Sequence, residues 1–161
     1  MTSIGFIGSG NIGSTVAKLA VDAGHDVVLS NSRGPETLQD LVTELGPHAR
    51  AGTTQEAASA DVVVVSVPLK AADQIPAESL RGKIVIDTCN YYPQRDGHVA
   101  ELDAESTTTS ELVQRHLSGS TVVKGFSNIN YLHLRSLARP SGSPNGPLSP
   151  LPGTTPKPRR T

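Results

Sequence analysis

An α/β fold with a doubly wound parallel sheet follows from three features of this sequence. Short apolar runs alternate with stretches of helical periodicity, one of the runs is apolar on both faces, and a glycine-rich turn separates the first run from the first helical stretch. Alternation of this kind builds helices on both faces of a parallel sheet through right-handed crossovers. At 161 residues the chain has room for one well-buried core and too little for two ordinary domains.

The elements follow in order. Ser3 to Ile7 is an apolar run closed by Gly8. From Asn11, the residues Ile12, Val16, Leu19, Ala20 and Ala23 share one side of a helix, and Gly24 stands where a helix C′ residue belongs. Val27 to Leu29 form the second run. A helix is then expected from Pro35, with Leu38, Leu41, Val42 and Leu45 at i, i+3, i+4 and i+7, stopped by Gly46 and Pro47. A short strand at Ala49 to Ala51 and a small Ala-rich helix lead to "DVVVVSVP", which reads as a central strand covered on both sides. Ile84 to Ile86 repeat that signature. Thr108 and Glu111 form a capping box for a helix carrying Leu112, Val113 and Leu117. Thr121 to Phe126 is the sixth strand, and Ile129, Leu132 and Leu137 mark a short helix. The whole predicts a Rossmann-type sheet of about six strands over residues 1–139.

The composition changes after Pro140. "PSGSPNGPLSPLPGTTPKPRRT" holds seven of the twelve prolines, no aromatic residue and few leucines, too little apolar surface to offset the entropy of ordering. Residues 140–161 are expected to be a disordered tail with polyproline character.

Charge and cysteine content narrow the class. Fourteen Lys and Arg against fifteen Asp and Glu give a formal charge of −1, which argues against nucleic acid or a membrane surface as partner and for small molecules. Cys89 is the only cysteine, so no intramolecular disulfide and no zinc-type cysteine cluster can form; a reducing, cytoplasmic setting is expected. The start "MTSIGFIG" carries no export or membrane-spanning pattern.

Gly8, Gly10 and Gly13 make G-S-G-N-I-G between a strand and a helix. The first suits the tight turn, the second lets backbone approach a pyrophosphate, and the third lets helix pack on strand. Free N–H groups and the helix dipole then favour phosphate. The motif alone is a weak signal, but strand, helix and following βαβ pattern agree on a dinucleotide site. In an NAD site a carboxylate ends the second strand and accepts hydrogen bonds from the ribose hydroxyls. Here Asp26 lies at the start of the strand, and Ser30, Asn31, Ser32 and Arg33 stand at its end. Small donors and a guanidinium suit the 2′-phosphate of NADP(H).

Together, "IGFIGSGNIG", "SNSRGPETL", "VVVSVPLKA", "IDTCNYYPQRDG" and "VVKGFSNI" resemble the NADPH-dependent oxidoreductases of the coenzyme F420 type over about residues 3–143. Pyrroline-5-carboxylate reductases and imine reductases share the first motif. The resemblance implies that Ser9, Asn11 and Ile12 face the pyrophosphate through backbone N–H groups, and that Asn31, Ser32 and Arg33 hold the 2′-phosphate. It implies that Ser66, Val67 and Pro68 run beneath ribose and nicotinamide, and that Asn90 approaches the nicotinamide side. It further implies hydride transfer between the nicotinamide and a stacked acceptor such as F420, or an imine or small carbonyl compound, and a homodimer. Cofactors carry such chemistry, so no catalytic side chain and no metal ligand is expected of the protein. Members of the family continue beyond "LARP" with a segment that completes the substrate cleft and often the dimer interface. Here the tail is expected to stand in its place, as a truncation or a shifted reading frame would produce, and an NADP-binding module without turnover is the alternative expectation.

Single residues near the site have plainer readings. Cys89 has no partner histidine and is expected to be a bystander. Tyr91 and Tyr92 suit stacking on a flat cofactor and half-buried packing equally well. Lys124 is expected to be solvated rather than to bind an anionic acceptor, His133 to be a surface or core residue, and Lys157, Arg159 and Arg160 to be solvated charges.

Overall fold

The structure, a computed structural model, describes residues 2–137. The expected tail at 140–161, its basic end and the domain boundary at 139 all lie outside the described residues. Six strands form one sheet: β1 Ser3–Ile7, β2 Asp26–Ser30, β3 Ala49–Ala51, β4 Val62–Val65, β5 Ile84–Asp87 and β6 Thr121–Lys124. Every neighbouring pair is parallel, in the order β3-β2-β1-β4-β5-β6. The chain starts in the middle of the sheet, works to one edge and returns to the other side of β1. The order therefore reverses between β1 and β4, and such a switch point opens a crevice at the carboxyl ends of the strands.

Strand alternation fills both faces. Phe6, Val27, Leu29 and Val64 pack against α1 (Asn11–Asp22), α2 (Gln39–Leu45) and Leu134 of α7 (Tyr131–Leu137). On the other face Ile7, Val28, Val63, Val65 and Val85 meet Ala57 and Ala58 of α3 (Thr54–Ala58), and Val113 and Leu117, which lie on and just after α6 (Thr109–His116). Two short 3-10 turns, Leu69–Gln74 and Ala77–Leu80, bring Leu69, Ile75 and Leu80 into that core. After β5 come the single-turn helices α4 (Pro93–Asp96) and α5 (Ala100–Asp103). Side chains such as Phe6, Leu29 and Leu80 are fully buried, each worth about 1.5–3 kcal/mol of transfer free energy. No helix among the described residues is long and apolar enough to cross a membrane.

The helix expected from Pro35 to Leu45 is divided. Pro35–Leu38 is a 3-10 turn, and α2 starts after Leu38, whose φ of −107° and ψ of 3° interrupt the helical path. The cause is local bonding: Thr37 Oγ1 donates to the Gly34 carbonyl at 2.8 Å and accepts from Asn31 Nδ2 at 2.9 Å, tying the first turn to the preceding loop. The sixth strand is shorter than expected, ending at Lys124 rather than Phe126. Gly125 N–H makes a last bond to the Asp87 carbonyl at 2.9 Å, and Phe126 then enters the left-handed region at φ 57° and lays its ring against the α1-side core.

Candidate dinucleotide site

The three motif glycines are set apart by what surrounds them. Gly8 has φ +101°, and a Cβ there would stand 2.2 Å from the Ser66 carbonyl oxygen; a Cβ on Gly13 would stand 2.2 Å from that of Gly8. Both positions are thus closed to any side chain by backbone on a neighbouring segment. Gly10 differs: a Cβ there meets nothing within 4 Å, so its α-carbon faces open space at the start of α1.

The caps of the helices point the same way. Thr53 with Glu56 and Thr108 with Glu111 form complete capping boxes on α3 and α6. Thr53 and Thr108 N–H donate to the glutamates, each at 2.7 Å, and these bonds hold both carboxyls below their ordinary range. The first of these boxes, T-T-Q-E, carries the same sequence signature as the second. By contrast α1 is capped by Gly10 with no side-chain bond and has no acidic residue in its first turn. Its orphan N–H groups and positive dipole end are left for an anion.

A cleft of about 440 Å³ lies at this point, at the carboxyl ends of β1, β2 and β4. Gly8, Ser9 and Gly10 form its floor, Asn31, Ser32 and Arg33 one end, and Ser66, Val67 and Pro68 the side beneath β4. Arg33 is the only charged residue among those lining it, and none is a carboxylate. Asp26, the nearest acidic candidate in β2, is at the far end of the strand and pairs with His48 Nδ1 at 2.9 Å. Sequence reasoning missed the opposite wall, formed by Thr54, Ala71, Gln74 and Ile75. These come from α3 and the turn after β4, where a motif-based reading has no marker.

Not every expected residue reaches into the cleft with its side chain. Ser30 donates to the Phe6 carbonyl at 2.9 Å and is buried. Asn31, at the end of the cleft, also ties the loop: Oδ1 accepts from Arg33 N–H at 2.9 Å and Nδ2 gives one of its two N–H donors to Thr37. It shapes the turn that presents Ser32 and Arg33, both exposed, and the Arg33 guanidinium has no hydrogen-bond or ion-pair partner among the described residues. Asn11, Ile12 and Gly13 stand in the first turn of α1 and do not line the cleft themselves. Asn90 is turned toward β6, donating through Nδ2 to the Ser127 carbonyl at 3.0 Å.

The residues after β5 resolve several alternatives. Tyr91 is packing: its hydroxyl donates to Asp103 at 2.7 Å and accepts from Val99 N–H at 3.0 Å. Burial first, then the Asp103 hydrogen bond, raises its pKa. Tyr92 is half exposed, with the Arg95 guanidinium 4.9 Å over its ring. His133 is on the surface. Lys124 is a correction. It is not solvated: its ammonium pairs with Asp87 at 3.2 Å, donates to Thr109 Oγ1 at 3.1 Å and to the Cys89 carbonyl. The register that seats Lys124 beside Asp87 on neighbouring strands draws it inward.

Cys89 is 2% exposed, and burial, with the adjacent Asp87 charge, pushes its thiol up to about 12. The thiolate is the reactive form, so the native protein is expected to resist a thiol-specific disulfide reagent at about pH 8 and to react once unfolded in guanidinium. Fast labelling of native protein would contradict this. No group of three or more His, Cys, Asp or Glu residues that could hold a metal occurs among the described residues.

Sheet order, switch-point cleft and open helix start define a Rossmann-type dinucleotide-binding fold. The chain belongs to the family described as NADP oxidoreductase, coenzyme F420-dependent, whose model matches residues 3–91. Among solved structures it is similar to a hypothetical protein of Sinorhizobium meliloti (30% identity, TM-score 0.71), over 82% of this chain and 64% of that one. It is also similar to a candidate F420-dependent NADP reductase of an Arthrobacter species (25% identity, TM-score 0.71), over 83% of this chain and 66% of that one. The chain thus spans just under two thirds of the length of these relatives. An imine reductase from Myxococcus stipitatus in complex with NADP+ shares the fold at 21% identity and TM-score 0.57, over 83% of this chain and 43% of its own. No curated protein matches the chain.

Proposed function

We propose that this chain binds NADP(H) in the switch-point cleft and serves hydride transfer between the nicotinamide and a deazaflavin acceptor of the F420 type. The observation that carries the reading is electrostatic. The cleft has one charged lining residue, Arg33, at the end of β2, where a carboxylate would select against a 2′-phosphate. The open start of α1 and the space at Gly10 fit a pyrophosphate, and Ile7, Val67, Ala71 and Ile75 supply apolar surface for a base or sugar.

When bound, the cofactor supplies the hydride and the site supplies orientation. Gly8 and Gly13 hold the loop in the one path that aims N–H groups at the phosphates; Ser32 and Arg33 bind the 2′-phosphate; Val67 and Pro68 keep water from the ring above β4. Support for the acceptor comes from family membership and from the named Arthrobacter relative. Titration of the protein with NADPH and then with F420, following absorbance of the deazaflavin, tests the reading. The expected result is binding followed by turnover. Binding without turnover leaves a nucleotide-binding module; turnover only with an imine or carbonyl compound moves the chain to a reductase of another substrate class. Absence of NADPH binding overturns the reading.

A further inference from the structure

Asp87 ends β5 with its carboxylate wholly buried, and the Lys124 side chain beside it is 17% exposed. Burying an ion pair is a poor route to stability, since desolvation cancels most of the attraction and an apolar pair does as well. What the two charges hold is more telling than the pair itself. Asp87 Oδ1 accepts from Cys89 N–H at 2.8 Å, and Lys124 Nζ donates to the Cys89 carbonyl. One residue is therefore gripped by both its peptide groups. Ser110 Oγ, donating to Asp87 Oδ2 at 2.7 Å, and Thr109 Oγ1, accepting from Lys124 at 3.1 Å, anchor the pair to the start of α6.

The gripped segment stands behind the cleft wall rather than in its lining. Thr88 N–H and Oγ1 both donate to the Val65 carbonyl, at 3.0 and 3.1 Å, one residue before the Ser66-Val67-Pro68 wall. Asn90 follows, tied to Ser127 through its side chain and to Arg95 through its carbonyl at 2.8 Å. The glycine loop and the Arg33 turn have no bond to this network among the described residues. We propose that Asp87 and Lys124 are positioning residues for the nicotinamide half of the site, fixing segment 88–90 against the end of β4 while leaving the adenosine half untouched. This rests on the NADP(H) reading above.

The experiment separates the two halves of the ligand. In the full chain, 2′,5′-ADP reports the adenosine-phosphate half, and the enhancement of nicotinamide emission at saturating NADPH reports the ring. Lys124→Met and Asp87→Asn are expected to keep the 2′,5′-ADP dissociation constant within roughly twofold and to lose half or more of the enhancement, as distant sites respond independently. Lys124→Arg, which retains the cation, is expected to restore most of it, and Ser110→Ala, which removes one bond to Asp87, to fall between. A general loss of structure would weaken both readouts together and overturns the inference, as does an unchanged enhancement in the Met and Asn variants. Should those two fail to fold, Lys124→Arg and Ser110→Ala decide it: emission equal to wild type in both overturns the inference. A wild-type protein that binds 2′,5′-ADP without any NADPH enhancement overturns the inference alone; one that does not bind 2′,5′-ADP overturns the NADP(H) reading itself.

Discussion

Gly10→Ala is expected to melt with the parent protein and to lose nucleotide binding, while Gly13→Ala is expected to melt on the order of 10 °C lower. The two residues stand three apart in one loop, yet their surroundings differ completely. At Gly10 φ is −72°, which alanine adopts freely, and its Cβ would touch nothing within 4 Å. Reduced freedom of the unfolded chain contributes about 0.4–1 kcal/mol, and loss of the glycine preference at an N-cap costs about as much, so stability hardly moves. The methyl group would occupy the open space at the start of α1. Loss of only two charge-assisted N–H contacts, about 1.5–3 kcal/mol each, weakens binding by more than roughly a hundredfold.

At Gly13 the added Cβ would stand 2.2 Å from the Gly8 carbonyl, and the obstacle is backbone that cannot swing aside. Forcing α1 away from β1 opens the core at Val16 and Phe6, and overpacking of that kind costs about 1–3 kcal/mol or more. Thermal unfolding with an NADPH titration of both variants checks the pair. Undiminished NADPH binding by Gly10→Ala would show that the loop is not a phosphate cradle, and a parent-like midpoint for Gly13→Ala would show that the helix can retreat without loss.

The legible part of this molecule is the part written locally. Periodicity placed the strands in sequence because a two-faced parallel sheet needs continuous apolar runs, and Val62–Val65 supplies the clearest of them. The Thr108–Glu111 box was readable because both its bonds lie within four residues. Lys124 was not readable: its partner is thirty-seven positions away, and only the β5–β6 register brings the charges together. The same holds for Thr54 and Gln74, which reach the cleft from segments that carry no phosphate motif. Asn31 marks a subtler limit. Its place at the end of β2 is legible, whereas the Asx-type bond to Arg33 N–H, through which it also shapes the turn, shows only in the structure.

On the NADP(H) reading, 2′-phosphate selectivity is expected to rest chiefly on Arg33. Among the described residues lining the cleft it carries the sole charge, and its guanidinium makes no hydrogen bond to any described residue. A charge-assisted contact is worth about 1.5–3 kcal/mol, so Arg33→Ala is expected to weaken NADPH by roughly ten- to a hundredfold. NADH, without the 2′-phosphate, is expected to change by less than about twofold, since its remaining contacts lie on the glycine loop and β4. Salt offers an independent check. An exposed guanidinium–phosphate contact is screened over a Debye length of about 8 Å at physiological ionic strength, so wild-type affinity for NADPH should fall with salt more steeply than that of Arg33→Ala. Asn31→Ala distinguishes presentation from contact: the turn loses the bond that sets Arg33, and NADPH affinity should fall by less than in Arg33→Ala, with NADH again unmoved. Dissociation constants measured by fluorescence for both nucleotides in the three proteins carry the test. Equal losses for NADPH and NADH in Arg33→Ala would assign the arginine to the adenine ring or to the fold, and the 2′-phosphate would then have no charged partner among the lining residues.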